Sequence, residues 1–374
     1  MNRKWTQPEQ MLLRMTNDFT DNEIAPFDLQ IDHEGKLPAG LFDKLVNTGF
    51  LTMMLPEEFG GAGFGPEITA AVIERIAQGN ASVAVTLEGH FKTLDQFLKY
   101  GTSALKAKYF PTAGERIFAF SMTEASGGSN PMGIQTTAVR QGDGWLLNGN
   151  KVMITNGGLA EVYAVLAKTA PDELSVFVVD KDMPGFQFGK QEDFIGLRGT
   201  PVGEIVLTDV YVPADNLLGK VGDGPMLGDS AHDDARILMG AVLSGIMTHA
   251  LNLSVTYAKE RKALDVPIGQ LQIIQHKLAN IAMSRDTTQL LYERAAYLKA
   301  TQQPYSEAAT MTKAYGSRTA VAAGDDALQI YGGYGYSREY PLAHLIADAR
   351  ALEIAEGTVE KMESAIALAE LGKA

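Results

Sequence analysis

The chain has 374 residues, of which 45% are hydrophobic and 21% charged, a composition typical of a globular protein with a substantial core. Its 32 Lys and Arg against 45 Asp and Glu give a formal net charge of −13, which argues against binding to nucleic acid or to an anionic membrane surface. Without cysteine there can be no disulfides, Cys-ligated zinc, iron–sulfur clusters or thiol nucleophiles, and the six histidines form no His-Glu-x-x-His pair, so no metal site is predicted.

The N-terminal segment is polar and amphipathic and lacks the apolar stretch of a secretory signal. No run of about eighteen apolar residues, the length that a bilayer requires, stands out in the sequence. We therefore expect a cytoplasmic protein that does not cross a membrane.

Residues 1–115 show apolar side chains at three- and four-residue spacing, as in Val72, Ile73 and Ile76, which predicts an N-terminal helical domain. Between residues 116 and 222 the pattern changes to short segments rich in β-branched and aromatic residues, bounded by turn signals such as Asp143-Gly144. The predicted strands are Ile117–Met122, Trp145–Leu147, Val162–Ala167, Leu174–Val179 and Glu204–Val212. Strands of this number and spacing predict a small middle β-domain, either a barrel or a sandwich.

Helical periodicity returns in residues 223–374, and the predicted helices are long. Pro267, Pro304 and Pro341 fall between them, where a helix can begin or end. Four such helices predict a C-terminal four-helix bundle. The fold class is therefore α+β with three domains. No G-x-G-x-x-G follows a predicted strand and no P-loop occurs, so a Rossmann nucleotide site is not expected.

Two segments resemble the signatures of the acyl-CoA dehydrogenase family. The first is Phe120–Asn130 (FSMTEASGGSN), which is similar to the family's T-E-P-G-A-G-S-D motif, and the second runs from Gln329 to Thr358. Four shorter matches lie in the family's order around them, at residues 56–63, 148–158, 209–219 and 257–262. The resemblance covers nearly the whole chain. It implies one FAD per subunit, a homotetramer built as a dimer of dimers, an acyl-CoA or other acyl thioester as substrate, and an electron-transferring flavoprotein as partner.

By this resemblance Glu356, in Ala355-Glu356-Gly357-Thr358, is the base that removes the α-proton of the thioester. A carboxylate beside an apolar acyl pocket is desolvated, so we expect its pKa to rise from about 4.3 toward neutrality. Some relatives carry the base on the first bundle helix instead, but Ala235 stands at that position here. The oxyanion site is expected to include the Glu356 main-chain N–H.

The resemblance also implies the other site residues. Met122, Thr123, Met153, Ile154 and Thr155 would border the flavin, with Met153 where the family commonly has a tryptophan. The remaining cofactor contacts would be Gly128, Ser129, Arg261, Gln272, Gln329, Gly332, Gly333 and Thr358, partly across a subunit interface. Ser129, Asp233, Arg236 and Gly357 would line the substrate channel, although a structural Asp233–Arg236 pair is nearly as good a reading.

Several functions fit these residues. The leading one is α,β-dehydrogenation of an acyl-CoA. An enoyl-thioester reductase would use the same residues by microscopic reversibility, and a substrate on an acyl carrier protein is a further alternative. From other classes, a flavin monooxygenase or oxidase is disfavoured by Glu356, and a non-catalytic flavoprotein is left open.

Overall fold

The computed structural model describes residues 4–263 and 265–372. Its N-terminal part is helical, as the periodicity predicts. The first helix begins in a capping box, in which the Thr6 hydroxyl accepts from the Glu9 main chain and the Glu9 carboxylate accepts from the Thr6 main chain. The helices are α1 (Gln7–Phe19), α2 (Asp28–Glu34), α3 (Leu41–Asn47), α4 (Pro66–Gly79), α5 (Ala81–Tyr100) and α6 (Ser103–Tyr109).

Helix α5 is the most deeply buried of this group, with every residue from Ala81 to Phe97 buried. The Asn80 side chain caps it by accepting from the Val83 N–H at 3.2 Å. The same buried stretch contains Glu88, His90, Lys92 and Asp95. Charged side chains are seldom fully buried unless they are paired, so this helix is a candidate for a functional role.

The middle part is one mixed sheet of eight strands in the order β6-β7-β3-β2-β4-β5-β8, with β1 parallel to β4. All five predicted strands are confirmed, whereas β2, β6 and β8 were missed because they are short or largely exposed. The strands are β1 (Phe118–Ser121), β2 (Thr137–Gln141), β3 (Gly144–Thr155), β4 (Val162–Ala170), β5 (Glu173–Asp180), β6 (Phe186–Gln191), β7 (Val202–Pro213) and β8 (Leu217–Leu218).

The C-terminal part packs α7 (Gly224–Glu260), α8 (Gln272–Ala300), α9 (Ser306–Tyr331) and α10 (Leu342–Ile354) against one another. The first three have 37, 29 and 26 residues, but α10 has only 13, so three of the four predicted bundle helices are long. A hairpin of β9 (Lys262–Ala263) and β10 (Val266–Pro267) joins α7 to α8, and α11 (Val359–Glu370) packs on α9.

Helix α7 corrects one sequence expectation. It is long and apolar enough, by length and composition, to cross a membrane, and 72% of its most apolar window is buried inside the fold. It packs against α4, α5, α8, α9 and α10 at once, which explains its apolar character as that of a core helix. Helix α5 packs against α7, which places it beside the bundle.

Candidate active site

Glu356 lies in the short connection between α10 and α11, where the backbone makes an unusual turn. Its φ is 57°, a left-handed conformation that is uncommon for a residue other than glycine, and Gly357 follows with a φ of 96°. Such strain persists only where the surrounding structure holds it, and it concentrates at functional sites. The turn directs the Glu356 carboxyl into the protein, where 13% of the side chain is exposed. Glu356 is therefore not a solvated surface residue, and its role as the base stays a prediction.

The carboxyl of Glu356 contacts a lysine that the sequence analysis did not single out. Lys92 of α5 donates a short hydrogen bond to Glu356 Oε1. On its other side Lys92 Nζ lies 3.6 Å from Glu88, whose side chain is fully buried and whose two oxygens have no hydrogen-bond partner among the described residues. His232 Nε2 lies 3.8 Å from Glu356 Oε2. These residues form what we term the reaction cluster: Glu356, Lys92, Glu88 and His232.

Electrostatics in this cluster overturn the expectation that the pKa of Glu356 rises. Burial does push the pKa upward, but the neighbouring charge of Lys92, assisted by His232 and Arg236, outweighs it and holds the pKa of Glu356 below its ordinary value. Burial raises the pKa of Glu88 to about 8, against the opposing charge of Lys92. Glu356 is therefore ionised at neutral pH, while Glu88 is largely protonated.

Two basic side chains hold the strained turn in place. Arg236 donates to the Glu356 carbonyl at 3.4 Å, and Lys313 of α9 donates to the Gly357 carbonyl at 2.5 Å. Arg236 also pairs with Asp233 at 3.0 Å and bonds the Thr310 hydroxyl at 3.2 Å. Asp233 and Arg236 thus form the structural pair that the sequence analysis weighed as an alternative, and that pair supports the backbone of Glu356.

The Glu356 main-chain N–H donates to no acceptor in the described ranges 4–263 and 265–372. A free main-chain donor next to a carboxylate base suits a carbonyl oxygen that gains negative charge as the neighbouring proton leaves. The positive φ of Gly357 favours glycine at this position. Space is not the reason, because a side chain added there would approach only the Arg236 guanidinium, at 3.5 Å.

The segment after β1 is brought to the same region by contacts with two other elements. The Met122 carbonyl accepts from Lys151 at 3.1 Å, and the Thr123 carbonyl accepts from the Val152 N–H at 2.9 Å. Ser129, at the other end of the segment, accepts at its carbonyl from Lys361 of α11 at 2.9 Å. Gly128 is exposed between them. The predicted residues of this segment are therefore tied both to β3 and to the helix that follows Glu356.

Strand β3 ends in a β-bulge at the predicted flavin contacts. The pairing with β7 shifts register between Lys151 and Ile154, and Met153 within the bulge has a φ of 56° and a half-exposed side chain. Ile154 is buried and Thr155 is half-buried. Asn156 donates from Nδ2 to the Thr86 carbonyl at 2.9 Å, but its buried Oδ1 has no partner in the described structure.

These residues fit a flavin ring. Among the described residues, the half-buried hydroxyls of Thr123 and Thr155 have no hydrogen-bond partner in the protein, and the orphaned Asn156 oxygen lies beside them in the chain. Half-exposed Met122 and Met153 supply polarizable apolar surface, which suits contact with an aromatic ring. Thr358 caps α11 by accepting from the Lys361 N–H at 3.3 Å.

The other predicted cofactor residues lie at the far end of the bundle. Met122 approaches α7 near its start, since a side chain added at Gly228 would meet the Met122 methyl at 2.8 Å. Arg261 follows the end of the same helix, 33 residues later, which at the helical rise corresponds to roughly 50 Å. Exposed at or near that end are Arg261, Gln272, Gln329 and Gly333, with Gly332 half-buried. One FAD cannot reach both groups in a single chain.

Two cavities stand out among the described residues. The larger, of about 390 Å³, lies between α2, the loop before β7 and the start of α10, and contains none of the predicted site residues. The smaller, of about 100 Å³, is lined by Lys92 but not by Glu356. Among the residues described, no group of three or more His, Asp or Glu side chains is placed to hold a metal ion.

Sequence reasoning missed Lys92, Glu88, His232 and Lys313. Charged residues within an otherwise apolar helical stretch, as in Val83–Leu94, were the available signal for the first two. Their partner Glu356 lies 264 residues away from Lys92 in the chain, so only the packing of α5 against the bundle reveals the pair.

Comparison with known proteins gives matches over nearly the whole chain. Family models for the acyl-CoA dehydrogenase N-terminal, middle and C-terminal domains match residues 6–115, 119–210 and 226–371. An acyl-CoA dehydrogenase of Bacillus subtilis is 37% identical over 362 residues, covering 95% of this chain and 96% of the relative. An acryloyl-CoA reductase (NADH) of Anaerotignum propionicum is also 37% identical, over 363 residues, covering 95% and 92%.

Solved structures agree. Butyryl-CoA dehydrogenase from Megasphaera elsdenii superposes with a TM-score of 0.96 at 33% identity, covering 99% of this chain and all of that one. A chain from the structure described as the electron transferring flavoprotein of Acidaminococcus fermentans gives the same TM-score at 34% identity, covering 99% and 100%. The FAD complex of PigA, at 26% identity and a TM-score of 0.93, covers 100% of both chains.

Proposed function

The chain belongs to the acyl-CoA dehydrogenase family of FAD-dependent oxidoreductases, and we propose that it removes two hydrogens from the α- and β-carbons of an acyl-CoA thioester. The observation that carries this proposal is the buried carboxylate of Glu356, set on a strained turn beside Lys92 and a free main-chain N–H. A base and an oxyanion donor on one residue are the two functions that removal of an α-proton requires.

Different residues of this chain have different roles in the proposed reaction. Glu356 accepts the α-proton at its carboxylate, and its main-chain N–H donates to the thioester oxygen as negative charge develops there. Arg236 and Lys313 hold both carbonyls of the turn, so the base keeps its position while its charge changes. Met122, Thr123, Met153 and Thr155 orient the flavin, which when bound accepts the hydride that leaves the β-carbon.

The full cofactor site is completed by a second copy of the chain. The residues near Met122 and those near Arg261 are separated by roughly the length of α7, about 50 Å along a helix of this rise. In a homotetramer built as a dimer of dimers, Arg261, Gln272, Gln329, Gly332 and Gly333 of one subunit bind the pyrophosphate and adenosine of the neighbour's FAD. An arginine suits a pyrophosphate because it donates in bidentate fashion.

The same residues serve dehydrogenation and enoyl-thioester reduction by microscopic reversibility, and dehydrogenation is favoured by the relatives named as acyl-CoA dehydrogenases. The reoxidising partner is an electron-transferring flavoprotein, in keeping with the A. fermentans structure. A reductase is the second candidate, supported by the A. propionicum relative.

Anaerobic rapid mixing of the FAD-loaded protein with a panel of acyl-CoAs tests the proposal. Loss of the visible flavin absorbance with a saturated acyl-CoA, and its return with an electron-transferring flavoprotein, is the expected result. An oxidised flavin that no saturated thioester reduces, but that is reoxidised by an enoyl-CoA after chemical reduction, would assign the reductase function instead.

A further inference from the structure

The α-proton that Glu356 accepts has to leave this residue before it can act again. Each turnover of the proposed reaction converts the carboxylate into a carboxylic acid, and only the carboxylate is a base. The Glu356 side chain is 13% exposed, so most of its surroundings are protein. The side chains that contact its two carboxyl oxygens are therefore the candidates to carry the proton onward.

The Oε1 side of the carboxyl offers no exit for the proton. Lys92 donates a hydrogen bond to Oε1. Burial works against its charged form, but the charges of Glu356 and Glu88 hold the pKa of Lys92 above its ordinary value. An ammonium group has donors and no acceptor, so it cannot take up a further proton. The Lys92 side chain is 7% exposed and Glu88 behind it is fully buried, so a proton on this side would stay inside the protein.

His232 of α7 lies on the other side of the carboxyl, with Nε2 3.8 Å from Oε2. A normal hydrogen bond extends to about 3.2 Å and a water between the two atoms would need roughly 4.5 Å, so the atoms face each other directly. A small rotation of either side chain brings them into hydrogen-bond contact. The His232 side chain is 30% exposed, so it connects the buried carboxyl to solvent.

The His232 imidazole is neutral at rest and both of its nitrogens are available. Burial lowers the pKa of His232, and the charges of Arg236, Lys92 and Lys361 lower it further against the opposing charge of Glu356. Within the described residues neither ring nitrogen has a hydrogen-bond partner. A neutral imidazole can accept a proton on one nitrogen and release a proton from the other.

We propose, resting on the function proposed above, that His232 carries the abstracted α-proton from Glu356 to solvent. The proton on Oε2 moves to Nε2, which restores the carboxylate and leaves the imidazole positively charged. The proton on Nδ1 then passes to water, and the ring returns to its starting tautomer by exchange with water. One proton is released for each proton taken from the α-carbon. His232 acts through Glu356 and is therefore a positioning residue for the proton.

Exchange of the α-hydrogen of the substrate with solvent deuterium measures this step. The FAD-loaded protein, in excess, is mixed anaerobically in D₂O with the saturated acyl-CoA that reduces its flavin fastest, without an electron acceptor. Reversal of the reaction returns a proton from Glu356 to the α-carbon, so deuterium enters there only after Glu356 has exchanged with solvent. Flavin absorbance gives the rate of reduction, and NMR of the recovered thioester gives the deuterium content of the α-carbon.

Removing the imidazole should separate the two rates. In His232→Ala we expect flavin reduction within about threefold of the wild-type rate and deuterium entry slowed by about 10-fold or more, because a positioned proton-transfer group is lost. Imidazole in the buffer should restore deuterium entry, whereas pyrazole, which has the same ring size but is a far weaker base, should not. His232→Gln fills the space again and should show the loss without the rescue.

His33→Ala is the matched control. It removes an exposed histidine of α2, whose Nε2 donates to the Arg338 carbonyl at 3.0 Å. Both rates should equal those of the wild type in this variant.

The outcomes separate the two proposals. Failure of every acyl-CoA in the panel to reduce the wild-type flavin would overturn the proposed function and this inference with it. Deuterium entry in His232→Ala that is as fast as in the wild type would overturn the relay and leave the dehydrogenase function standing. Equal slowing of reduction and exchange, with no rescue by imidazole, would also overturn the relay, since a purely structural role gives that result.

Discussion

Two buried lysine–carboxylate pairs in this protein have opposite character. In the middle domain Glu124 accepts from Lys151 at 2.7 Å and from the main chain of Gln135 and Thr136 at 2.5 and 3.1 Å, while Lys151 also donates to the Met122 carbonyl. In the reaction cluster Lys92 has spare donors and Glu88 has no hydrogen-bond partner in the described structure.

The difference indicates that the Lys151–Glu124 pair has a structural role and that the reaction cluster has a chemical one. A buried carboxylate that is hydrogen-bonded to the main chain as well as to its lysine fixes the chain around it, and Glu124 ties down the loop that carries Gly128 and Ser129. The incomplete pair lies instead beside Glu356, where charge changes in the proposed reaction. The four changes below test this contrast, beginning with the largest expected effect.

Removing the base should have the greatest effect. Glu356→Gln keeps the shape of the side chain but cannot accept a proton, so we expect flavin reduction by acyl-CoA to slow by about 10²- to 10⁴-fold or more. FAD should stay bound, because the residues that border the flavin are unchanged. Stopped-flow absorbance gives the rate. A variant that is reduced as fast as the wild type would remove Glu356 from its assigned role.

Breaking the complete pair should instead affect stability. Lys151→Met leaves the Glu124 carboxylate buried without its cation, which should lower the free energy of unfolding by about 3 to 5 kcal/mol. Chemical denaturation measures the change. Lys92→Met should cost less, because Glu356 keeps His232 and Arg236 as neighbours. Equal losses from the two variants would contradict the distinction between the pairs.

Lys92 should determine the pH at which activity is lost on the acidic side of the pH–rate profile. It holds the pKa of Glu356 down, so removing its charge raises that pKa and leaves the base protonated at pH values where the wild-type base is ionised. In Lys92→Met the acid limb of kcat/KM for butyryl-CoA should therefore move to higher pH, with a several-fold loss of activity at the acidic end. Lys190→Met, which alters an exposed lysine of β6 paired with Glu192, provides the reference profile. An unmoved limb in Lys92→Met would refute the electrostatic role.

The smallest effect is expected at Glu88, with the opposite sign. Its raised pKa means that folding at neutral pH requires a carboxyl that is ionised in the unfolded chain to take up a proton. Glu88→Gln removes this cost and should increase the free energy of unfolding at neutral pH. The gain should vanish below about pH 4, where the unfolded carboxyl is protonated too. Chemical denaturation at both pH values measures the change in the free energy of unfolding. A variant that is destabilised at neutral pH would show that the Glu88 carboxyl makes a stabilising interaction.

Sequence patterns predicted the order of helical, β and helical parts because apolar spacing survives in any long, half-buried element. They missed β2, β6 and β8, whose exposed residues carry no alternation. The limits drawn at residues 115 and 222, the individual cofactor contacts and the cytoplasmic location stay predictions.

For the site, the sequence located Glu356 through its resemblance but misjudged its electrostatics. The expected apolar environment is there in part, yet a single lysine from a helix 264 residues earlier reverses the direction of the pKa shift. No local pattern encodes that contact, because it depends on how α5 packs against α7 and on the strained backbone at Glu356. The sequence shows the charged residues of α5 but not the residues with which they pair.

One measurement tests the central claim most directly: the rate of anaerobic flavin reduction by butyryl-CoA carrying deuterium at its α-carbon, compared with unlabelled butyryl-CoA. If the Glu356 carboxylate removes the α-proton, the labelled substrate should reduce the flavin more slowly, and in Glu356→Gln both rates should fall together to near zero. Equal rates for the two substrates in the wild type, with Glu356→Gln still active, would contradict the account.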